Sequence, residues 1–267
     1  MSDSVSHHRG ALFVALVLAV AAIMVLAFMP RAQAEYSWSD LKGPGEGDAW
    51  ALAYDSGHSV LYKGTSDRGV WKYQGGAWTS TGGGLAGLTV LSMAYDGTNN
   101  VLYAGTTGHG VWRCVAPNTS PVWTDIGGGV TSFTIGSLLF DGTRLYAGAS
   151  DQGVWRCSDP AAATPSWALT GGPTVTEGSP PASYRLSANA LAFDGSHLYA
   201  GTNAHGAWRC NNPATSPSWS YMGGPSAVEG SPPATHVFSV SSLVFNGSYL
   251  YAGTIGRGVW RCTNPGT

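Results

Sequence analysis

Leu145-Tyr146-Ala147-Gly148, four residues, Gly153-Val154-Trp155-Arg156-Cys157 and, ten residues on, Trp167: this pattern occurs with small changes along the whole chain. Its Gly-Val-Trp step falls at Trp71, Trp112, Trp155, Trp208 (where Ala replaces Val) and Trp260. Successive steps are 41, 43, 53 and 52 residues apart. A period of about 40 to 50 residues holding several short apolar runs is the signature of a β-propeller blade. The chain is therefore read as all-β, a five-bladed propeller with four antiparallel strands per blade.

Each unit divides into four strand-sized runs. The first ends in an aromatic and a turn residue: Tyr54-Asp55, Tyr95-Asp96, Phe140-Asp141, Phe193-Asp194 and Phe245-Asn246. A glycine follows in four of the five, as a tight hairpin turn with positive φ requires. The second run is centred on Tyr62, Tyr103, Tyr146, Tyr199 and Tyr251, and the third is the Gly-Val-Trp run. The fourth carries Trp78, Trp123, Trp167 and Trp219. The fifth unit stops at Cys262-Thr-Asn-Pro-Gly-Thr267 without a fourth run. At the other end, Tyr36-Ser-Trp38-Ser-Asp-Leu-Lys-Gly43 matches Ser-Trp219-Ser-Tyr-Met-Gly-Gly224. The expectation is that this N-terminal strand completes the last blade and so covers an edge that would otherwise pair with other chains. Ten of the eleven Trp residues are repeat positions and are expected between blades.

Residues 11–29 are wholly apolar, Arg9 precedes them and Ala32-Gln-Ala34 follows. This reads as a signal peptide over residues 1–34, cleaved after Ala34, with an uncleaved anchor as the rival and the sole link to a membrane. Residues 35–267 then form a single propeller domain, exported to a periplasm or the cell exterior, and a monomer. Its 11 basic and 14 acidic residues leave a net charge of about −3. No basic stripe offers a nucleic-acid surface. Cys114, Cys157, Cys210 and Cys262 share one repeat position, with Tyr73 in the first unit. Equivalent points on successive blades lie too far apart for a disulfide, so four buried free thiols are expected. The same separation rules out a shared metal site, and no cofactor motif is present.

The run Leu-Tyr-Ala-Gly-Thr-x-x-x-Gly-Val-Trp-Arg resembles the bacterial neuraminidase repeat, or Asp-box, propellers. That family includes sialidases, sortilin-like receptors, xyloglucanases and photosystem II assembly factors. The resemblance implies propeller architecture across residues 35–267. The loop that carries Ser-x-Asp-x-Gly-x-Thr-Trp in the family here reads Cys157-Ser-Asp-Pro160-Ala-Ala-Ala-Thr-Pro165-Ser-Trp167 and its counterparts. The Trp is kept, the Asp-Gly core is gone, and proline fixes the loop instead.

Two matching insertions, Thr174-Val-Thr-Glu177-Gly-Ser-Pro-Pro-Ala-Ser-Tyr184 and Ser226-Ala-Val-Glu229-Gly-Ser-Pro-Pro-Ala-Thr-His236, lengthen the entries to the fourth and fifth units. They read first as turn chemistry. Just before each Gly-Val-Trp stand Arg68, His109, Gln152, His205 and Arg257, all polar. In an up-and-down blade these tips share a face with the insertions. Trp50 lies outside the repeat, at the start of the first inner strand; core packing is expected, stacking on a sugar the alternative. Candidate ligand-binding residues are thus Trp50, Arg68, His109, Gln152, His205, Arg257, Glu177 and Glu229. No catalytic constellation stands out. The functional expectation is a non-catalytic binding or scaffolding protein with an asymmetric face for a protein or glycan partner. A lectin-like propeller and a glycan-cleaving hydrolase are the alternatives.

Overall fold

The computed structural model describes residues 39–41, 43, 48–177, 182–229 and 234–267, with the side chains of residues 229 and 234 outside that description. Contacts divide the chain into two units, Met1–Lys42 and Gly43–Thr267. In the first, Ser39, Asp40 and Leu41 are exposed and carry no strand. The expected signal segment and the start of the closing strand, Tyr36 to Trp38, lie outside the described residues.

The second unit is all-β. Its first sheet is β1 (Ala51–Asp55), β2 (Val60–Gly64), β3 (Val70–Gln74) and β4 (Ala77–Ser80). The second is β5 (Val90–Asp96), β6 (Val101–Thr106), β7 (Val111–Val115) and β8 (Val122–Asp125). The third is β9 (Ile135–Phe140), β10 (Leu145–Ala149), β11 (Gly153–Cys157) and β12 (Trp167–Leu169). A hairpin, β13 (Thr174–Glu177) and β14 (Ala182–Arg185), leads to the fourth: β15 (Ala188–Phe193), β16 (Leu198–Thr202), β17 (Ala207–Asn211) and β18 (Ser218–Tyr221). A second hairpin, β19 (Ser226–Glu229) and β20 (Ala234–Val237), leads to β21 (Val240–Phe245), β22 (Leu250–Thr254) and β23 (Gly258–Cys262). Every sheet is antiparallel in simple sequence order, the fifth with three described strands. The insertions, expected as turns, are thus hairpins of their own.

The turns form for the reason the sequence gives. Asp141 Oδ1 accepts the backbone N–H of Thr143 at 2.8 Å and of Arg144 at 2.6 Å, and Gly142 takes φ 96°. Asp55, Asp96, Asp194 and Asn246 cap their own turns in the same way. At Asp194, Tyr199 Oη donates at 2.6 Å and His197 Nδ1 lies at 3.0 Å. Burial opposes ionisation of Asp194, but the hydrogen bonds from Tyr199, His197 and Ser196 outweigh it and hold its pKa at about 2. Asp55 is shifted down in the same sense. A depressed carboxyl stabilises the fold above its unfolded value and ceases to do so as pH falls through its folded one. Stability should therefore fall between about pH 4 and about pH 2. Asp194→Asn should cost about 1–3 kcal/mol at neutral pH and flatten that acid limb in urea melts.

Successive sheets are stitched by the repeat residues. Inner strands β1, β5, β9, β15 and β21 lie side by side in that order. Ser137 Oγ donates to Ala188 O at 2.8 Å across one such seam. In the second, third and fourth sheets the fourth-strand Trp reaches back to the preceding one: Trp123 Nε1 to Thr81 Oγ1 at 3.0 Å, Trp167 Nε1 to Ile126 O at 2.7 Å, Trp219 Nε1 to Thr170 O at 3.1 Å. The third-strand cation reaches forward to the Pro-rich loop of the next sheet. Arg113 Nη1 donates to Pro160 O and Ala162 O, both at 2.8 Å, Arg156 Nη1 to Pro213 O at 2.7 Å, and Arg209 Nη1 to Pro265 O at 3.1 Å. Cys114, Cys157 and Cys210 are free and buried. Burial pushes the thiols of Cys114 to about 11 and Cys210 to about 12. Cys262 is free but half-buried, which corrects the expectation that all four are sealed. No described fourth strand covers it. The fifth sheet is bare in other places too. Val259 is 77% exposed, whereas its counterparts Val111 and Val154 are fully buried under the next sheet.

Candidate functional site

The repeat Trp residues set the geometry of one face. Each donates its indole N–H to the backbone carbonyl of the polar residue three positions earlier. The pairs are Trp71 to Arg68 (3.2 Å), Trp112 to His109 (3.0 Å), Trp155 to Gln152 (3.1 Å), Trp208 to His205 (3.1 Å) and Trp260 to Arg257 (3.0 Å). The indole thus pins the loop tip and turns its side chain outward. Sequence reasoning took these Trp residues as packing between blades; their polar edges hold the loops as well.

At the other tips the candidates have different surroundings. Arg68 lies 3.8 Å from its neighbour Asp67, and His109 turns Nδ1 to Thr107 O at 3.0 Å. The Arg257 guanidinium stacks 5.0 Å from the Phe238 ring centroid. Trp50 is 56% exposed. This corrects the expected core packing: Ala51 turns inward, so strand alternation sends Trp50 and Leu52 outward.

His205 differs from the others because a hairpin stands over it. Glu177, at the end of β13, brings Oε1 to 3.0 Å from His205 Nε2 and accepts Tyr184 Oη at 2.5 Å on its other oxygen. The Tyr184 bond first, then His205, holds the Glu177 carboxyl below its ordinary range. It is therefore an anion at neutral pH. His205 Nδ1 faces Asn203 O at 2.8 Å. Both ring nitrogens face acceptors, so the ring donates to both only when doubly protonated. The result is a brace tying an exposed hairpin to a loop of the fourth sheet.

Beside the brace lies a pocket of about 530 Å³ lined by Val175, Glu177, His205, Trp208, Tyr221, Thr235 and His236, among others. That volume lies in the range of small-ligand sites, roughly 300–1,000 Å³. Tyr221 pairs across the strands with Trp208, their ring centroids 5.2 Å apart. The equivalent positions are Ser80, Asp125 and Leu169, so this aromatic pair breaks the repeat beside the insertions. In the sequence the signal is Tyr221 standing where the other units have Ser80, Asp125 and Leu169. A second pocket, of about 330 Å³, shares His236 and Val237 with the first and extends to Phe238, Ser239, Ile255 and Arg257. Arg68, His109, Gln152 and Trp50 line neither pocket. The Glu229 side chain lies outside the described residues.

Among the described residues no group of three His, Cys, Asp or Glu side chains is placed to hold a metal. Nor is any helix there long and apolar enough to cross a membrane.

No protein-family model and no curated protein sequence matches the chain. Solved structures do. A GH74 xyloglucanase from Xanthomonas campestris is 17% identical at a TM-score of 0.59, over 79% of this chain and 36% of that one. The Niastella koreensis GH74 enzyme is 15% identical at 0.57, over the same shares. The extracellular domain described for a B. thetaiotaomicron hybrid two-component system is 19% identical at 0.59, over 86% of this chain and 28% of that one. A chain of a nidogen/laminin complex is 16% identical at 0.52, over 77% of this chain and 72% of that one. The chain thus spans about a third of the length of each glycoside hydrolase. Likeness at this identity establishes the fold, an all-β, propeller-like array of antiparallel four-stranded sheets.

Proposed function

We propose that the protein is an exported, non-catalytic binding propeller whose ligand face is the sector bearing the two hairpins. One observation carries the reading. Glu177 and His205, 28 residues apart, meet at 3.0 Å beside a pocket walled by Trp208 and Tyr221, and among the described fourth strands only this one sets an aromatic opposite the repeat Trp. Export rests on residues 1–34, and the solved relatives, extracellular domains among them, are compatible with it. Glu177 is the single carboxylate among the described lining of that pocket. Glycoside cleavage uses a pair, so binding fits this lining better than hydrolysis.

The architecture proposed is a ring of five blades, its last sheet completed by the strand that begins at Tyr36. Support comes from the repeat equivalence of Trp38 with Trp219. It also comes from a pocket of about 190 Å³ lined by Met222, Gly223, Pro225, Trp260 and Cys262, the position that a fourth-strand Trp occupies in the earlier sheets. Trp38→Ala should then let a thiol reagent modify Cys262 in the native state while Cys114, Cys157 and Cys210 react only on unfolding. An unchanged Cys262 rate in that variant would leave the ring without this closure.

The binding reading is tested with an array of glycans and immobilised cell-surface proteins. The wild type should give signals that the Glu177→Ala, His205→Ala double variant loses. The Glu177 side chain is 51% exposed and that of His205 26%, so the change opens no core cavity, and a circular dichroism melt checks that the double variant is folded. Arg144→Ala, in a turn at the other end of the sheets, should bind like the wild type. Signals kept by the double variant and lost on changing the Pro-rich loops would place function on the opposite face.

A further inference from the structure

We infer that the two adjoining pockets form one trough for a neutral oligosaccharide, with Tyr221 as its stacking platform; this rests on the proposed binding face. The argument begins with the walls. Tyr221 is 49% exposed and its ring leans on Trp208, so one aromatic face is held rigid while water still reaches it. An amphipathic ring fixed in this way suits a ligand that is apolar on one side and hydroxylated at its edge, which describes a pyranose. Around the platform stand groups that pair with hydroxyls. Glu177 is an ionised acceptor, Thr235 has a hydroxyl, and His236 can donate and accept.

Charge narrows the class. The anion at Glu177 disfavours an acidic sugar or a phosphate over the platform, and its own partners, His205 and Tyr184, already occupy one lone pair on each oxygen. The lining is too polar for a lipid chain: Glu177, His205, Thr235 and His236 interrupt Val175, Trp208 and Val237. Shape narrows it further. His236 and Val237 belong to both pockets, and the second continues along Phe238 and Ser239 to Arg257. A single sugar fills one end of such a trough. A chain of several residues runs across the fourth and fifth sheets, with hydroxyls meeting the Arg257 side.

Calorimetry with glucose, cellobiose, cellotetraose and xylotetraose tests the inference on the full mature chain. Affinity should rise at least tenfold from a monosaccharide to a tetrasaccharide in at least one series. Tyr221→Ala should weaken it about tenfold, a loss on the order of one aromatic stacking contact. Tyr221→Phe should retain most of the affinity, and Tyr54→Ala, on the first sheet and more exposed than Tyr221, should change nothing. Circular dichroism melts confirm that each variant is folded. Affinity that does not grow with length overturns the trough. Binding indifferent to Tyr221→Ala overturns its position. No binding to any neutral sugar, together with array signals from proteins or acidic glycans that still depend on Glu177 and His205, overturns the ligand class and leaves the binding face intact.

Discussion

Gly148→Ala should cost about 3 kcal/mol of stability, near the top of the range for overpacking a close-packed seam. A methyl there would sit 2.2 Å from Ser137 Oγ, 2.3 Å from Ala188 O and 3.0 Å from the Ala188 Cβ. Ala188 belongs to the next sheet, and its backbone cannot move without shifting β15 away from β9. This is why the second strand of the repeat carries Gly near its end: the following sheet's inner strand needs the space. Gly253 is the control. A methyl there meets the Ser242 Oγ at 2.2 Å and, among the described residues, nothing of another sheet. A serine side chain can rotate away, so Gly253→Ala should cost less than about 1 kcal/mol. Urea melts of the two variants measure the difference. Equal losses would mean that the glycine serves the strand itself and not the approach of its neighbour.

Trp123→Ala should be more damaging still, at about 3–5 kcal/mol. The side chain is 9% exposed, packs with Leu85, Val70 and Cys114, and donates to Thr81 across the seam between the first two sheets. Removing it opens a cavity between sheets and leaves Cys114 facing it. Two signals should accompany the loss: a lower unfolding midpoint and a Cys114 thiol that reacts in the native state. Trp50→Ala, which removes a ring of similar size from an exposed position, should change stability by no more than about 0.5 kcal/mol. A Trp123 variant as stable as the Trp50 one would show that the sheets do not depend on the repeat indoles.

The strands of the five units and their capped turns were legible because both signals are local. Period-two runs ending at Phe140-Asp141 or Phe193-Asp194 carry their own stop, and Asp caps the turn two and three residues on. The equivalence of Arg68, His109, Gln152, His205 and Arg257 was legible for the same reason. Which of them meets a partner was not. Glu177 reaches His205 because Thr174-Val-Thr and Ala182-Ser-Tyr-Arg pair as strands, whereas in the sequence the Gly-Ser-Pro-Pro run between them reads as turn chemistry. The β-branched and aromatic residues flanking that turn were the available clue. The Arg113 and Arg156 clamps were hidden by distance: their acceptors lie 47 and 57 residues away, on loops with no fixed length. Trp50 was misjudged by type, since a Trp is usually buried; its phase along β1 decides otherwise.

The central claim is that recognition belongs to the hairpin sector of an otherwise repetitive face. Each repeat Trp reports on one loop tip through its own indole N–H, so a single spectrum reads the whole face. Indole ¹⁵N–¹H resonances of the Trp-labelled protein, assigned by single Trp→Phe variants, should be followed as cellotetraose or the strongest array ligand is added. The account predicts that the Trp208 resonance moves first and furthest, with Trp260 following and Trp71 and Trp112 still. Movement of Trp71 or Trp112 while Trp208 stays in place would contradict it.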